Sequence, residues 1–505
     1  MSYKPLKPAK KHSYMWESFN QLKAVGIFEV VVMILLLFQM VNINYSNYTK
    51  VERYMTHQRY DDIYETIFDP VYASTQLTGI IFTTVVCFSV LMLMLSFSFL
   101  YSRKSSDFYY SVPVSRKQIF LSKVGAVWIW QMITVVLGIA GGLIATYTKY
   151  NLIKYNYVML GKGFILILIA IIYLSGVVIL AFSLSGNLFS GLTLMVMLLF
   201  YMRAVVDLIF SSFSNIPIVY SYDLSDYMFL GRNNIVVTYL THIADVVEDN
   251  TLFITWKNLI CSGIIGTLLF VLAFVAFQRR KSETTGKSFG YKWIRIAVRF
   301  LVYVALAMLL FVAYDITVVG FKIKMTYEHG WMEIIPYVAL TVIAALVYEK
   351  LSTKKFHIKS VFLTVILAYI SAIALLMGLT SVEKQFVDFA PKPEDVSEMD
   401  VYVESYQAFD IADALDLDGV WANNVAFKQK AQSKPECVKK ICEVLERNIK
   451  EMYDNDFYHD KILHLNVIFY TKDKTEMRRM VYFTKDDLKE IQDYLTFEVE
   501  SGEEF

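Results

Sequence analysis

The chain has 505 residues, of which 56% are hydrophobic, 15% aromatic and only 19% charged, with a mean hydropathy of +0.44. A soluble globular chain carries about 25% charged residues, so this composition excludes an ordinary soluble protein, while nine prolines and four cysteines exclude a proline-rich disordered chain and a disulfide scaffold. The net charge of +1 hides a division: from Ser381 onward there are 28 acidic against 16 basic residues, which leaves 32 basic and 19 acidic residues in the body before it.

In chain order, residues 1–23 form a lysine-bearing segment ahead of the first apolar run. A helix rising about 1.5 Å per residue crosses roughly 30 Å of hydrocarbon with about 20 apolar residues. Runs of that kind fall at 24–43, 77–100, 124–147, 164–184, 188–211, 256–278, 296–315, 332–349 and 360–379, which predicts about nine spans. Only Ser185-Gly186-Asn187 separates the fourth from the fifth, and this reads as a tight hairpin. The eighth is the weakest, with Glu333 and Pro336 near its start.

The basic residues set the direction. They gather at the N-terminus (Lys4, Lys7, Lys10, Lys11, Lys23), after the second span (Arg103, Lys104, Arg116, Lys117, Lys123), after the sixth (Arg279, Arg280, Lys281, Lys287, Lys292, Arg295) and after the eighth (Lys350, Lys354, Lys355, Lys359). Positive loops stay in the cytoplasm, so the N-terminus is expected inside and, after an odd number of spans, the acidic tail outside. The first run is too long for a signal peptide, and no small-residue cleavage site follows it. The expected organisation is a cytoplasmic segment 1–23, a six-span core 24–278 with a cytoplasmic elbow at 101–123, a linker 279–295, three further spans within 296–379, and an extracytoplasmic domain 380–505.

That tail reads as a small α+β domain. Met399–Glu404, Leu463–Tyr470 and Met477–Phe483 alternate as half-buried strands do. Pro435 opens a helix to about Tyr453 with Val438, Ile441, Cys442, Leu445 and Ile449 on one face, and Thr484 with Asp487 forms a capping-box-like start for a last helix carrying Leu488, Ile491 and Tyr494. Cys437 and Cys442 lie about 140° apart around their helix, which disfavours a bridge between them.

Chemistry is sparse. Thr285-Gly286-Lys287-Ser288 resembles the end of a phosphate loop, but the glycine required five residues earlier is Lys281 and no strand precedes it. His459 and His464 near Asp454, Asp456 and Asp460 lack the glycine and terminal glutamate of a calcium loop and read as a solvated acidic turn. No metal site, resident cofactor, catalytic set or nucleic-acid surface is expected, so the chain reads as a non-enzymatic membrane protein in contact with lipid. Inside the spans, Arg203 and Asp207 are four residues apart and face one side of the fifth helix, either locking two helices or lining a path. Glu29 lies about 8 Å along the first helix from its inner end, pointing into the bundle or toward the interface.

The segment after the second span is the most informative. Ser106 or Asp107 can cap a short helix that Pro113 must end, and Ser115 with Gln118 forms a capping box for the helix that continues into the third span. The product is an amphipathic elbow displaying Phe108, Tyr109 and Tyr110 beside basic pairs, suited to a groove on another protein or to an interfacial aromatic belt.

The run Arg103…Ser106-Asp107-Phe108-Tyr109…Ser111-Val112-Pro113-Val114-Ser115-Arg116…Leu121-Ser122-Lys123 resembles the loop after the second span in bacterial type-2 ATP-binding-cassette (ABC) transporter permeases of the Firmicutes type. Val112 stands where leucine is usual and Tyr110 where histidine is common. The linker from Arg279 to Lys287 and the C-terminal extracytoplasmic domain are also similar to that group. The resemblance implies a coupling helix, with Asp107, Phe108, Tyr109, Ser111, Pro113, Arg116 and Lys117 at the contact with a separate cytoplasmic ATPase. ATP and magnesium would then bind the partner, not this chain. It further implies a second permease copy or a sibling permease, and export of amphipathic peptides, antibiotics, lipids or cell-wall precursors. An ion-driven secondary transporter, and a membrane sensor or cell-wall interaction protein using the outer domain, are the alternatives.

Overall fold

The computed structural model describes residues 11–55, 70–149, 155–214, 234, 236–237, 256–313, 316–319, 322–325, 331–355, 357–387, 390–402, 422–427, 435–451, 463–472, 476–491 and 494–499. The chain divides into two compact units.

The first unit, residues 1–205, 229–307 and 332–369, holds most of the long helices. They are α1 (Lys11–Gln21), α2 (Lys23–Met55), α3 (Pro70–Phe97), a 3-10 turn (Ser98–Tyr101), α4 (Arg103–Ser111), α5 (Arg116–Lys149), α6 (Tyr157–Leu184), α7 (Leu188–Ser214), α8 (Trp256–Arg279), α9 (Lys292–Ala313), α10 (Trp331–Thr353) and α11 (Ile358–Val387), some of which run on into the second unit. Among the described residues, seven helices are long and apolar enough to cross a membrane: Lys23–Ile43, Ala73–Tyr101, Arg116–Ile144, Tyr157–Leu184, Trp256–Arg279, Ile335–Thr353 and Ile358–Leu375. The fifth and seventh expected spans are present as α7 and α9, outside those seven. In α7 the apolar helix within the described residues is the shorter Leu188–Tyr201. α9 carries Lys292, Arg295 and Arg299 in its first turns.

The bundle is tightest where side chains are smallest. α6 and α8 approach so closely that a methyl group on Gly176 would lie 2.7 Å from the Phe270 nitrogen, and one on Gly266 would lie 3.1 Å from the Tyr173 Cα. Small residues allow this where lipid offers no hydrophobic drive to press helices together. The amphipathic α1 was not foreseen: Phe19 stacks on Trp130 of α5 with centroids 4.6 Å apart, and the Trp130 indole donates to the Phe19 carbonyl at 3.2 Å.

The second unit covers 206–228, 308–331 and 370–505. A hairpin not read from sequence, β1 (Ile316–Val319) with β2 (Lys322–Met325), lies between α9 and α10. The α+β domain has β3 (Val396–Tyr402), β4 (Ala422–Phe427), α12 (Pro435–Glu451), β5 (Leu463–Thr471), β6 (Glu476–Phe483), α13 (Lys485–Ile491) and β7 (Leu495–Val499). The antiparallel order is β3-β5-β6, with β4-β7 as a separate pair. Register places Val401 beside Val467 and Leu465 beside Val481. These residues are buried with Met399, Phe469 and Phe483, as are Ile441 and Leu445 of α12. The expected capping box is present, with the Thr484 hydroxyl donating to Asp487 Oδ2 at 2.6 Å and the Asp487 amide donating back to Thr484 at 3.3 Å. Cys437 and Cys442 are buried and form no disulfide. Asp454, Asp456, His459 and Asp460 lie outside the described residues; His464 packs on Tyr482.

Candidate functional site

The elbow at the end of the second span forms as a helix, an extended turn and a second helix. α4 starts at Arg103, so neither Ser106 nor Asp107 is its cap. The N-cap is Ser102, which makes no side-chain cap bond, and Ser106 is buried inside the helix. Val112 is extended (φ −64°, ψ 135°), as the residue before a proline prefers, and this ends α4 ahead of Pro113. The Ser111 hydroxyl donates to the Phe108 carbonyl at 2.8 Å, satisfying one of the last free acceptors. Ser115 and Gln118 then close the expected capping box: the Ser115 amide donates to Gln118 Oε1 at 3.2 Å and the Gln118 amide donates to Ser115 Oγ at 3.3 Å.

The aromatic residues divide. Phe108 is 65% exposed, and Asp107, Ser111, Pro113 and Lys117 are exposed around it. Tyr109 is not displayed, which corrects the expectation. Its ring packs on Phe99 with centroids 4.3 Å apart, and the buried Lys123 ammonium lies 4.8 Å from the Tyr109 centroid and 5.2 Å from that of Phe99. A cation beside two adjoining rings is attracted by both, more so out of water. Beneath them Phe97, Phe120 and Phe277 pack at 5.5–6.1 Å, joining α3, α5 and α8. Tyr14 of α1 is adjacent: burial, then Tyr109 and Glu17, pushes its phenol up to about 12.

Two arginines root the elbow. Arg116 donates from Nη1 to the carbonyls of Gln278 and Arg280, at 2.7 Å each. Arg280, read from sequence only as a topogenic charge, is 4% exposed. Its Nη1 donates to the carbonyls of Phe182, Ser183 (3.0 Å) and Ser185 (2.5 Å), and its Nη2 to Leu100 at 2.8 Å. A buried charge is tolerated only when hydrogen-bonded in this way, and these acceptors are the unpaired carbonyls that helix ends leave behind.

The segment after Arg280 is docked rather than free. The Gly186 amide donates to the Ser288 carbonyl at 3.1 Å, the Gly286 amide to the Gly186 carbonyl at 2.7 Å, and the Gly290 amide to the Leu184 carbonyl at 3.1 Å. Gly286 turns at φ 89°. Within the phosphate-loop lookalike, the Gly286 amide is therefore engaged with the 185–187 hairpin, and the Lys287 amide closes a local turn on the Thr284 carbonyl at 3.1 Å. On the same hairpin, Asn187 caps α7 through the Ser190 amide (2.7 Å) and donates to the Ser352 carbonyl at the end of α10 (2.8 Å).

Of the predicted elbow residues, Asp107, Phe108, Ser111, Pro113 and Lys117 are exposed on one short segment while Tyr109 and Arg116 are tied into the bundle; the side chain of Tyr110 lies outside the described residues, and the other predicted residues lie apart from the elbow. Glu29 is buried in the bundle. Arg203 is half-buried on α7, while the side chain of Asp207 lies outside the described residues. Sequence reasoning missed Lys123, Arg280, Gln131 and the buried Glu349, which meets Arg299 at 3.6 Å and the exposed His357 at 3.1 Å. A lysine, a glutamine and a glutamate each placed in or beside an apolar run were the available signals. Among the described residues no group of three or more His, Cys, Asp or Glu is placed to hold a metal ion.

These features define a multi-pass helical membrane protein with a short helix presented at one end of its bundle. No family model, curated protein or solved structure matches the chain.

Proposed function

We propose that this chain is the transmembrane subunit of an ABC-type exporter, with α4 as the element that meets a separate cytoplasmic ATPase. In this reading the chain crosses the membrane nine times, N-terminus inside, and its acidic α+β domain stands outside. The carrying observation is the division of the elbow: Phe108 is exposed, while Tyr109 packs the same short helix onto Phe99, and Arg116 and Arg280 tie its two flanks to the ends of α6 and α8. An aromatic residue standing on a rigid base suits a protein groove, where buried aromatics supply much of the binding energy. A base tied to several span ends transmits a push from the partner to the bundle. The orientation is supported by the gathering of Leu100, Ser185, Arg280 and Ser352, the ends of the second, fourth, sixth and eighth expected spans, where the basic residues concentrate.

The partner ATPase would bind ATP and magnesium, a second permease copy or a sibling would complete the membrane path, and the cargo would be an amphipathic or hydrophobic molecule. The test is purification of the tagged chain from native membranes in gentle detergent, with mass spectrometry of what accompanies it. A stoichiometric nucleotide-binding ATPase is expected. Its absence, from preparations that keep other membrane complexes intact, would remove the exporter reading.

A further inference from the structure

The first span carries one carboxyl, and nothing around it matches its charge. Glu29 is 0% exposed, on the face of α2 that meets α3 and α5. The side chains that reach it are polar and uncharged. Gln131 of α5 donates from Nε2 to Glu29 Oε2 at 3.4 Å, and the Thr134 hydroxyl lies beside the same carboxyl. Met92 of α3 closes the other side of the Gln131 amide, its sulfur 3.7 Å from Nε2, with buried Ser89 one turn earlier. The charged and titratable groups of the packed elements are engaged or exposed elsewhere. Lys123 of α5 lies against the Phe99 and Tyr109 rings, Arg116 binds the end of α8, and Lys23 of α2 and Glu17 of α1 are exposed. Tyr14 of α1 faces Tyr109 and Glu17, and α3 contains no Asp, Glu, Lys or Arg, with Cys87 exposed.

Glu29 Oε1, Gln131 Oε1 and the Thr134 hydroxyl are all buried, and none has a partner. With the Thr134 hydroxyl turned to Glu29, the contact is still short by one donor. An ionised carboxylate can only accept, and the Gln131 carbonyl can only accept, so even with the Thr134 hydroxyl donating to Glu29 the ionised pair leaves the Gln131 oxygen orphaned and an unmatched charge in a hydrocarbon setting, where both are costly. A carboxylic acid facing a carboxamide has the complementary pattern, with the amide N–H donating one way and the acid O–H the other.

We propose that Glu29 and Gln131 form a proton-binding pair inside the membrane, with the proton on Glu29 Oε1 donated to the Gln131 carboxamide oxygen. The proton comes from water and returns to it; only an O–H bond forms and breaks. This is independent of the exporter reading, and either can fail without the other.

The test is infrared spectroscopy of the full-length protein in lipid. A protonated-acid C=O band that shifts in D2O, disappears in Glu29→Gln and moves to higher frequency in Gln131→Leu is expected. If Glu29→Gln does not accumulate, Glu29→Asp makes the assignment by displacing the same band. Loss of ionised-carboxylate intensity in the Glu29 variant, with no acid band in the wild type, would overturn the proposal. So would an acid band that vanishes on replacing choline chloride by sodium chloride at constant pH, which would make the pocket a sodium site.

Discussion

Arg116 donates to the main-chain carbonyl of Arg280 at 2.7 Å, joining residues 164 positions apart at the root of the elbow. Arg280 in turn holds the Leu100 carbonyl, three residues before α4 begins. The two guanidiniums thus tie both flanks of the elbow to the end of α8. Truncating Arg280 strips its donor from the buried carbonyls of Phe182, Ser183 and Ser185, and each buried polar group left unsatisfied costs about 1–3 kcal/mol. Arg280→Ala is expected to lower the thermal stability of the detergent-solubilised protein sharply, and Arg280→Lys to restore little of it, because an ammonium lacks the planar fork that spans these acceptors. A melting curve unchanged in Arg280→Ala would refute this role.

The two neighbouring aromatics separate by assay. Phe108→Ala removes an exposed ring and is expected to change stability by less than about 0.5 kcal/mol while weakening ATPase association. Tyr109→Ala removes a ring stack and a cation–π contact and is expected to cost about 1–3 kcal/mol. Thermal melts beside pull-downs distinguish them, and equal destabilisation by both would contradict the division of roles.

Gly186 has no room for a side chain. A methyl group there would overlap the main-chain oxygens of Thr284 and Lys287, so Gly186→Ala is expected to lift the 281–290 segment off the hairpin. Limited trypsin digestion reads this directly through faster cleavage at Lys281 and Lys287. Unchanged cleavage would mean that the segment is held by other contacts.

In the α+β domain, burial acts to raise the Asp487 carboxyl, but hydrogen bonds from Thr484 and Arg447, the Thr484 amide and the Arg447 charge together hold it below the usual carboxylate range. A depressed folded value means stabilisation that is present above the unfolded value of about 3.9 and lost as pH falls through the folded one. Asp487→Asn is therefore expected to destabilise the domain by about 1.5–3 kcal/mol at neutral pH, with the difference from wild type shrinking on acidification. Proteolysis rates of the two proteins from neutral to strongly acid pH measure this, and a difference that widened in acid would reverse the sign.

Much of the architecture was legible because its signals are local. Apolar length marked the helices, three residues at 185–187 marked a hairpin, and two capping boxes were placed on their residues. What was not legible depends on distant partners. Three consecutive aromatics on a nine-residue helix do not say which turns inward; Phe99 and Lys123 decide that for Tyr109. Arg280 looks like its basic neighbours until the helix ends it bridges are placed around it. β4 and β7 pair across some seventy residues, and the Asn-Asn of Ala422–Phe427 masks strand alternation. Glu29 left two directions open, and Gln131, an isolated amide in an apolar run, selects the inward one.

Contact between Phe108 of α4 and a cytoplasmic ATPase can be read from a photo-crosslinking amino acid at position 108 in native membranes, with position 137 on the exposed face of α5 as the control. A covalent adduct between position 108 and a nucleotide-binding ATPase subunit is expected, and none from position 137. Adducts from position 108 to lipid alone would contradict it, and would make the exposed ring an interfacial anchor.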